Sequence, residues 1–168
     1  MKSSIFNVKN QKIAKSVTLL QQSFAQQINL KYCGQICTIY DGKLISYSQL
    51  QKIINFIQSK SNKKVKNFTQ IYLGSRDGLS AYAYWNKVNN KSDLIIIFKS
   101  KSGNIFGGFS PCKWQYYQGY VQDNTLSSFL FSQTHDQIYP LKEANKAQAI
   151  YSNQSYGAYF WRWQRYMY

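Results

Sequence analysis

Between residues 71 and 109 the chain runs Ile71-Tyr72-Leu73-Gly74-Ser75-Arg76-Asp77-Gly78-Leu79-Ser80, then Leu94-Ile95-Ile96-Ile97-Phe98, then Asn104-Ile105-Phe106-Gly107-Gly108-Phe109. No other stretch constrains the fold as much. It reads as a strand, a polar turn that starts a helix, a buried strand, and a further strand interrupted by paired glycines. The segment over residues 92–99, apolar at every position from Leu94 to Phe98, suits a strand covered on both faces, and Ser100-Lys101-Ser102-Gly103 supplies a turn to its hairpin partner. Gly107 and Gly108 inside a strand pattern imply a bulge or the close approach of another backbone. A phosphate cradle at these glycines is disfavoured, because no Gly-Lys-Ser/Thr follows and the strand-to-helix context is missing.

At the corner, residues 69–74 read as a strand and residues 74–78 as a turn into a helix over about 79–88. Asp77 is placed to accept hydrogen bonds from the first helical amides, at the positive end of the helix dipole. Arg76 beside it carries a planar fork suited to a carboxylate or to backbone carbonyls. Ser75, Arg76, Asp77 and Gly78 are therefore expected to cap the helix and lock the corner, with a binding site as the alternative.

On the N-terminal side, Val17, Leu20, Phe24 and Ile28 have helix-like spacing and predict a short amphipathic helix over residues 14–27. Asp41-Gly42 between Ile36-Cys37-Thr38-Ile39-Tyr40 and Lys43-Leu44-Ile45-Ser46-Tyr47 is a hairpin signal. Ser48 with Gln51 has capping-box spacing. Leu50, Ile53, Ile54 and Ile57 then share one face of a packing helix that ends near Ser59. Toward the C-terminal side, residues 127–133, 136–141 and 148–151 read as short strands. Trp114, Tyr116, Tyr117 and Tyr120 suggest either a stacking platform for bases or, as the favoured reading, a lid over one end of the sheets. The expected fold is mainly β (α+β), with two antiparallel sheets packed as a sandwich and flanking helices.

In order and spacing, the blocks from Ser75-Arg76-Asp77-Gly78 through Phe106-Gly107-Gly108, Trp114, Asp123 and Ser128-Phe129-Leu130-Phe131-Ser132 resemble the TLDc domain, the module shared by oxidation-resistance proteins and several membrane-traffic regulators. The resemblance implies the same sandwich architecture. It divides the chain into an N-terminal extension (1–42), a TLDc-like domain (43–160) and a tail (161–168). The tail Trp161-Arg162-Trp163-Gln164-Arg165-Tyr166-Met167-Tyr168 departs from the family, which has Phe-Gly-Gly-Gly and closing strand residues there. If residues 160–168 are written as the codons TTT TGG AGG TGG CAA AGA TAT ATG TAT, one choice that encodes them, removal of one T from the opening run gives Phe-Gly-Gly-Gly-Lys-Asp-Ile-Cys. Residues 161–168 are accordingly expected to be out of frame and the native protein to continue. Read literally, they form a basic, Trp-rich tail suited to membrane interfaces or nucleic acid.

Catalytic chemistry finds little support. There is one histidine, His135, and one glutamate, Glu143, whereas acid-base catalysis needs titratable groups held at fixed distance. Asp77, Asp93, Asp123 and Asp136 follow no metal-ligand or paired-carboxylate spacing. Cys33 and Cys37 lack a second Cys or His pair for zinc, and Cys112 lacks an evident base. No catalytic residue, metal or cofactor is expected. The candidate structural or interaction residues are Ser75, Arg76, Asp77, Gly78, Phe106, Gly107, Gly108 and Trp114.

Charge bears on partners. Lys+Arg 21 against Asp+Glu 6 gives +15, a field that attracts nucleic acid, anionic lipid or an acidic protein surface without choosing among them. Only Lys60, Lys63, Lys64 and Lys66 cluster, and they read as a solvated loop. No stretch reaches the roughly twenty apolar residues of a membrane span, and residues 1–9 lack the apolar core of a secretion signal, so a cytoplasmic protein is expected. The resemblance implies a non-enzymatic interaction module linked to oxidative-stress resistance, its partner a protein such as a subunit of the vacuolar proton-ATPase, with no small-molecule substrate. The alternatives are a redox-active or hydrolytic enzyme using Cys112 or the acids near the corner, or an electrostatic binder of nucleic acid or anionic membrane.

Overall fold

The computed structural model describes residues 24–32 and 44–160, apart from 156 and 158. The Asp41-Gly42 turn, Cys33, Cys37 and the tail from Trp161 lie outside the described residues, as does the first part of the helix expected over 14–27. Its last part is a strand instead. Phe24–Tyr32 forms β1, paired on one side with β2 (Val65–Leu73) and on the other with β3 (Leu94–Lys99). Phe24 and Ile28, four apart, fit a helical turn and a strand period equally, and two long-range ladders outweigh a local helix.

Six strands make one antiparallel sheet in the order β2-β1-β3-β4-β6-β7, where β4 is Ile105–Ser110, β6 Phe129–Ser132 and β7 Gln137–Pro140. A second, two-stranded antiparallel sheet pairs β5 (Gly119–Val121) with β8 (Ile150–Ser152). With helices α1 (Tyr47–Ser61), α2 (Gly74–Asp77) and α3 (Ala81–Val88), the fold is α+β.

Helix α1 forms because Leu50, Ile53, Ile54 and Ile57 repeat at helical spacing, and all four are buried. It starts two residues earlier than expected. Ser46, not Ser48, is the cap, its hydroxyl accepting from the Gln49 N–H at 3.3 Å, and Tyr47 begins the helix rather than ending a strand. The helix also runs two residues past Ser59 and ends at Asn62, whose φ of 53° is left-handed and whose N–H donates to the Gln58 carbonyl at 3.2 Å. Two contacts hold α1 on the large sheet: the Ser46 N–H donates to Gln133 Oε1 at 2.8 Å, and Phe56 meets Phe129 edge-on at 4.9 Å.

Leu94, Ile95, Ile96 and Ile97 are completely buried in succession, as expected of a strand covered on both faces. Side chains alternate along a strand, and β4 pairs with β3 and β6 without a register shift. Phe109 turns to the α1 side, where it lies 5.5 Å from Phe129. Gly108 turns to the opposite face, toward Phe160 and Leu130. Of the two roles open to the glycine pair, close approach is the one realised. A Cβ on Gly107 would overlap the Ile96 backbone carbonyl, and one on Gly108 would lie 2.7 Å from the Phe160 ring and 2.8 Å from Leu130.

The two glycines are expected to differ on substitution. Gly107→Ala meets backbone that cannot move without breaking the ladder and should cost about 3 kcal/mol or more, whereas Gly108→Ala meets only side-chain ends and should stay within about 1–3 kcal/mol. Urea denaturation of both variants checks the order.

Candidate interaction site at the Ser-Arg-Asp-Gly corner

Strand β2 ends at Leu73, and the next residues make a single turn, α2, before Gly78 redirects the chain. Asp77 is not the cap of the following helix. Helix α3 begins at Ala81 and is capped by Ser80, whose hydroxyl accepts from the Ala83 N–H at 3.1 Å. Asp77 turns back instead. Its Oδ2 accepts from the Leu73 N–H at 2.8 Å, so the carboxylate ties the end of β2 to α2. Arg76 clamps the same carboxylate with Nε to Oδ1 at 3.0 Å and Nη2 to Oδ2 at 2.8 Å. The expected carboxylate partner of Arg76 is thus its immediate neighbour. The Arg76 guanidinium first, and the Leu73 amide second, hold the Asp77 carboxyl down at about 2.

Gly78 has φ +93° and ψ 155°, a region open almost only to glycine. Its carbonyl accepts from the Tyr72 hydroxyl at 2.6 Å, and the Tyr72 ring meets Tyr84 of α3 edge-on at 5.5 Å. Burial, with the nearby Asp77 charge, raises the Tyr72 phenol above its ordinary pKa. Tyr72 therefore braces both sides of the corner, a role that its place in an apolar run did not disclose. Ser75 is exposed and Arg76 half-exposed, so the corner presents its polar face to solvent.

Of the other candidate residues, Gly107, Gly108 and Trp114 are buried, whereas Phe106 at the start of β4 is half-buried. Phe106 stacks on Phe98 at 5.7 Å. Trp114 is completely buried and meets Phe160 edge-on at 5.8 Å, so it cannot serve as a stacking platform. Gly108 and Trp114 meet through Phe160. Tyr116 and Tyr117, 4.1 Å apart, line an open cleft with Tyr82, Trp85, Asn89 and Gln154. Tyr82 and Tyr117 are each more than two-thirds exposed there, and the signal for the helical side of this cleft was the i, i+3 pair Tyr82 and Trp85.

The remaining acids hold structure together. Buried Asp123 accepts from the Thr125 N–H at 2.9 Å and the Ser128 N–H at 2.8 Å, organising the loop into β6. Asp93 pairs with Lys63 at 3.6 Å, Asp136 with Lys52 at 2.6 Å, and Glu143 with Lys146. Among the described residues no three of His, Cys, Asp and Glu gather as metal ligands.

Three substitutions test the corner. Tyr72→Phe should cost about 0.5–1.5 kcal/mol through the lost hydroxyl bond. Gly78→Val should cost about 1–3 kcal/mol through φ strain, since the nearest side chain, Ala83, leaves 3.7 Å of room. Asp77→Asn should separate from wild type by pH. The native carboxyl is depressed from 3.8 to about 2, so its stabilisation is complete above 3.8 and lost as pH falls toward 2. Wild type should melt higher than the variant above that window, and the gap should close within it.

No curated protein and no solved structure matches the chain. A family model, that of the TLDc domain, matches residues 38–160, a span that includes the corner, the glycine pair, Trp114 and Phe160. With its blocks in the family's order and over more than half its length, the chain belongs to the TLDc domain family.

Proposed function

We propose that this chain is a non-enzymatic TLDc interaction module of the cytoplasm that supports oxidative-stress resistance by binding a protein, with a subunit of the vacuolar proton-ATPase as the first candidate. The observation that carries this reading is the use made of the acids. Asp77, Asp93, Asp123, Asp136 and Glu143 each hold an amide or a cation of this same chain, so each is committed to an internal contact rather than left open to move a proton on a substrate. His135 is exposed in the turn before β7. Burial pushes the Cys112 thiol up to about 11, so it is protonated near neutrality and a poor nucleophile. We further infer that the two sheets face each other as a sandwich. Supporting this, the chain leaves β8 through a Tyr151–Tyr159 bridge and places Phe160 on Gly108 of the large sheet.

Affinity capture from a cell lysate with the full chain tests the interaction reading. A specific protein partner should survive moderate salt, whereas a partner held only by the net charge of +15 should wash away steeply. Loss of every captured protein would reject the module. For the enzyme alternative, Cys112→Ser should consume peroxide no more slowly than wild type, and a fall in rate would restore the redox reading.

A further inference from the structure

Strand β7 is an outer strand of the six-stranded sheet among the described residues. An open groove of about 430 Å³ runs between it and α1, lined by Gln49, Lys52, Asn55, Phe56, Asp136 and Ile138. Gln49 is only 4% exposed, yet its Nε2 group has no hydrogen-bond partner among the described residues. A buried donor without an acceptor is costly, and because Gln49 lines the groove, a turn of its amide toward an acceptor entering from outside the chain would satisfy it.

The backbone of β7 narrows the kind of occupant. The Leu141 N–H donates to the Ser128 carbonyl at 3.0 Å, and Tyr139 and Gln137 lie opposite Leu130 and Ser132 in the same register. By antiparallel alternation, the N–H and C=O of Ile138 and the C=O of Pro140 point away from β6. They offer pairing to one more strand, over a short stretch because Pro140 has no N–H. Charge narrows it further. Lys52 lines the groove, and Lys60 stands over the Phe56 ring at 5.8 Å. Every carboxylate among the described residues is already engaged, and the chain carries 21 cations against 6 acids.

We propose that this groove docks an extended acidic peptide segment of a partner protein, added as a strand to β7, with an acceptor on Gln49 Nε2 and a carboxylate on Lys52 in competition with Asp136. The proposal rests on the interaction-module reading and gives that module its surface and the chemistry of its partner.

The full chain is titrated by fluorescence anisotropy against a labelled nonapeptide of alternating glutamate and valine. A glutamine-and-valine peptide and a backbone N-methylated glutamate-and-valine peptide are the controls. The glutamate peptide should bind saturably, and both controls should bind at least about tenfold more weakly. Gln49→Leu fills the same space without the orphan donor, so it should weaken the glutamate peptide about tenfold while melting at or above the wild-type temperature. Lys52→Gln alters a half-exposed position that folding tolerates, and it should weaken the same peptide to a similar degree. Absence of saturable binding, equal binding of the glutamine peptide, or a Gln49→Leu chain that melts lower yet binds normally would overturn the proposal. Capture from lysate with Gln49→Leu separates the two readings. If the variant keeps the salt-resistant partner, the module stands and the groove is not its site; if wild type captures none, the module reading itself fails.

Discussion

Burial of β3 on both faces is the constraint from which the rest of the architecture follows. Four consecutive residues, Leu94 to Ile97, have no exposed surface, and each such side chain contributes about 1.5–3 kcal/mol when removed from water. A strand buried in this way can satisfy its backbone only with neighbouring strands, which β1 and β4 provide. Its two faces then need separate covers. Helix α1 supplies one through Phe56 against Phe129, and the Phe160–Trp114 pair supplies the other. The glycine pair of β4 lets these layers close, because Gly107 sits against the Ile96 carbonyl and Gly108 leaves room for the Phe160 ring.

Electrostatics works in the opposite direction, outward. The carboxylates are few and are used as internal fasteners, Asp77 for the end of β2 and Asp123 for the loop before β6. Exposed pairs such as Lys52–Asp136 and Lys146–Glu143 add little stability individually, so their value lies more in shaping the surface than in holding the fold. What remains is an excess of positive charge, whose field attracts anionic surfaces in general and is screened by salt. Among the described residues no helix is long and apolar enough to cross a membrane.

Some elements were legible because their signals are local. The apolar run at residues 94–97, the hairpin turn ending in Gly103, the 50/53/54/57 stripe of α1 and the positive φ of Gly78 each follow from residues close in sequence. Local signals became ambiguous wherever they occurred twice. Ser46-x-x-Gln49 and Ser48-x-x-Gln51 are equivalent capping boxes, and both Asp77 and Ser80 are good N-caps.

The sequence by itself determined which segments are buried, where the chain must turn, and that the blocks follow the TLDc order, because periodicity and glycine placement are properties of neighbouring residues. Only the tertiary structure chose between the competing caps. Gln133, eighty-seven positions away, binds the Ser46 N–H and sets the start of α1, while Arg76 and the Leu73 amide draw Asp77 back to β2 and leave Ser80 to cap α3. It likewise decided that Phe24–Tyr32 is a strand, since ladders to β2 and β3 come from segments far along the chain. The groove beside β7 belongs to this second kind. Gln49 reads as an ordinary helix residue until packing against the sheet shuts its amide away from water, and no pattern of neighbours encodes that burial.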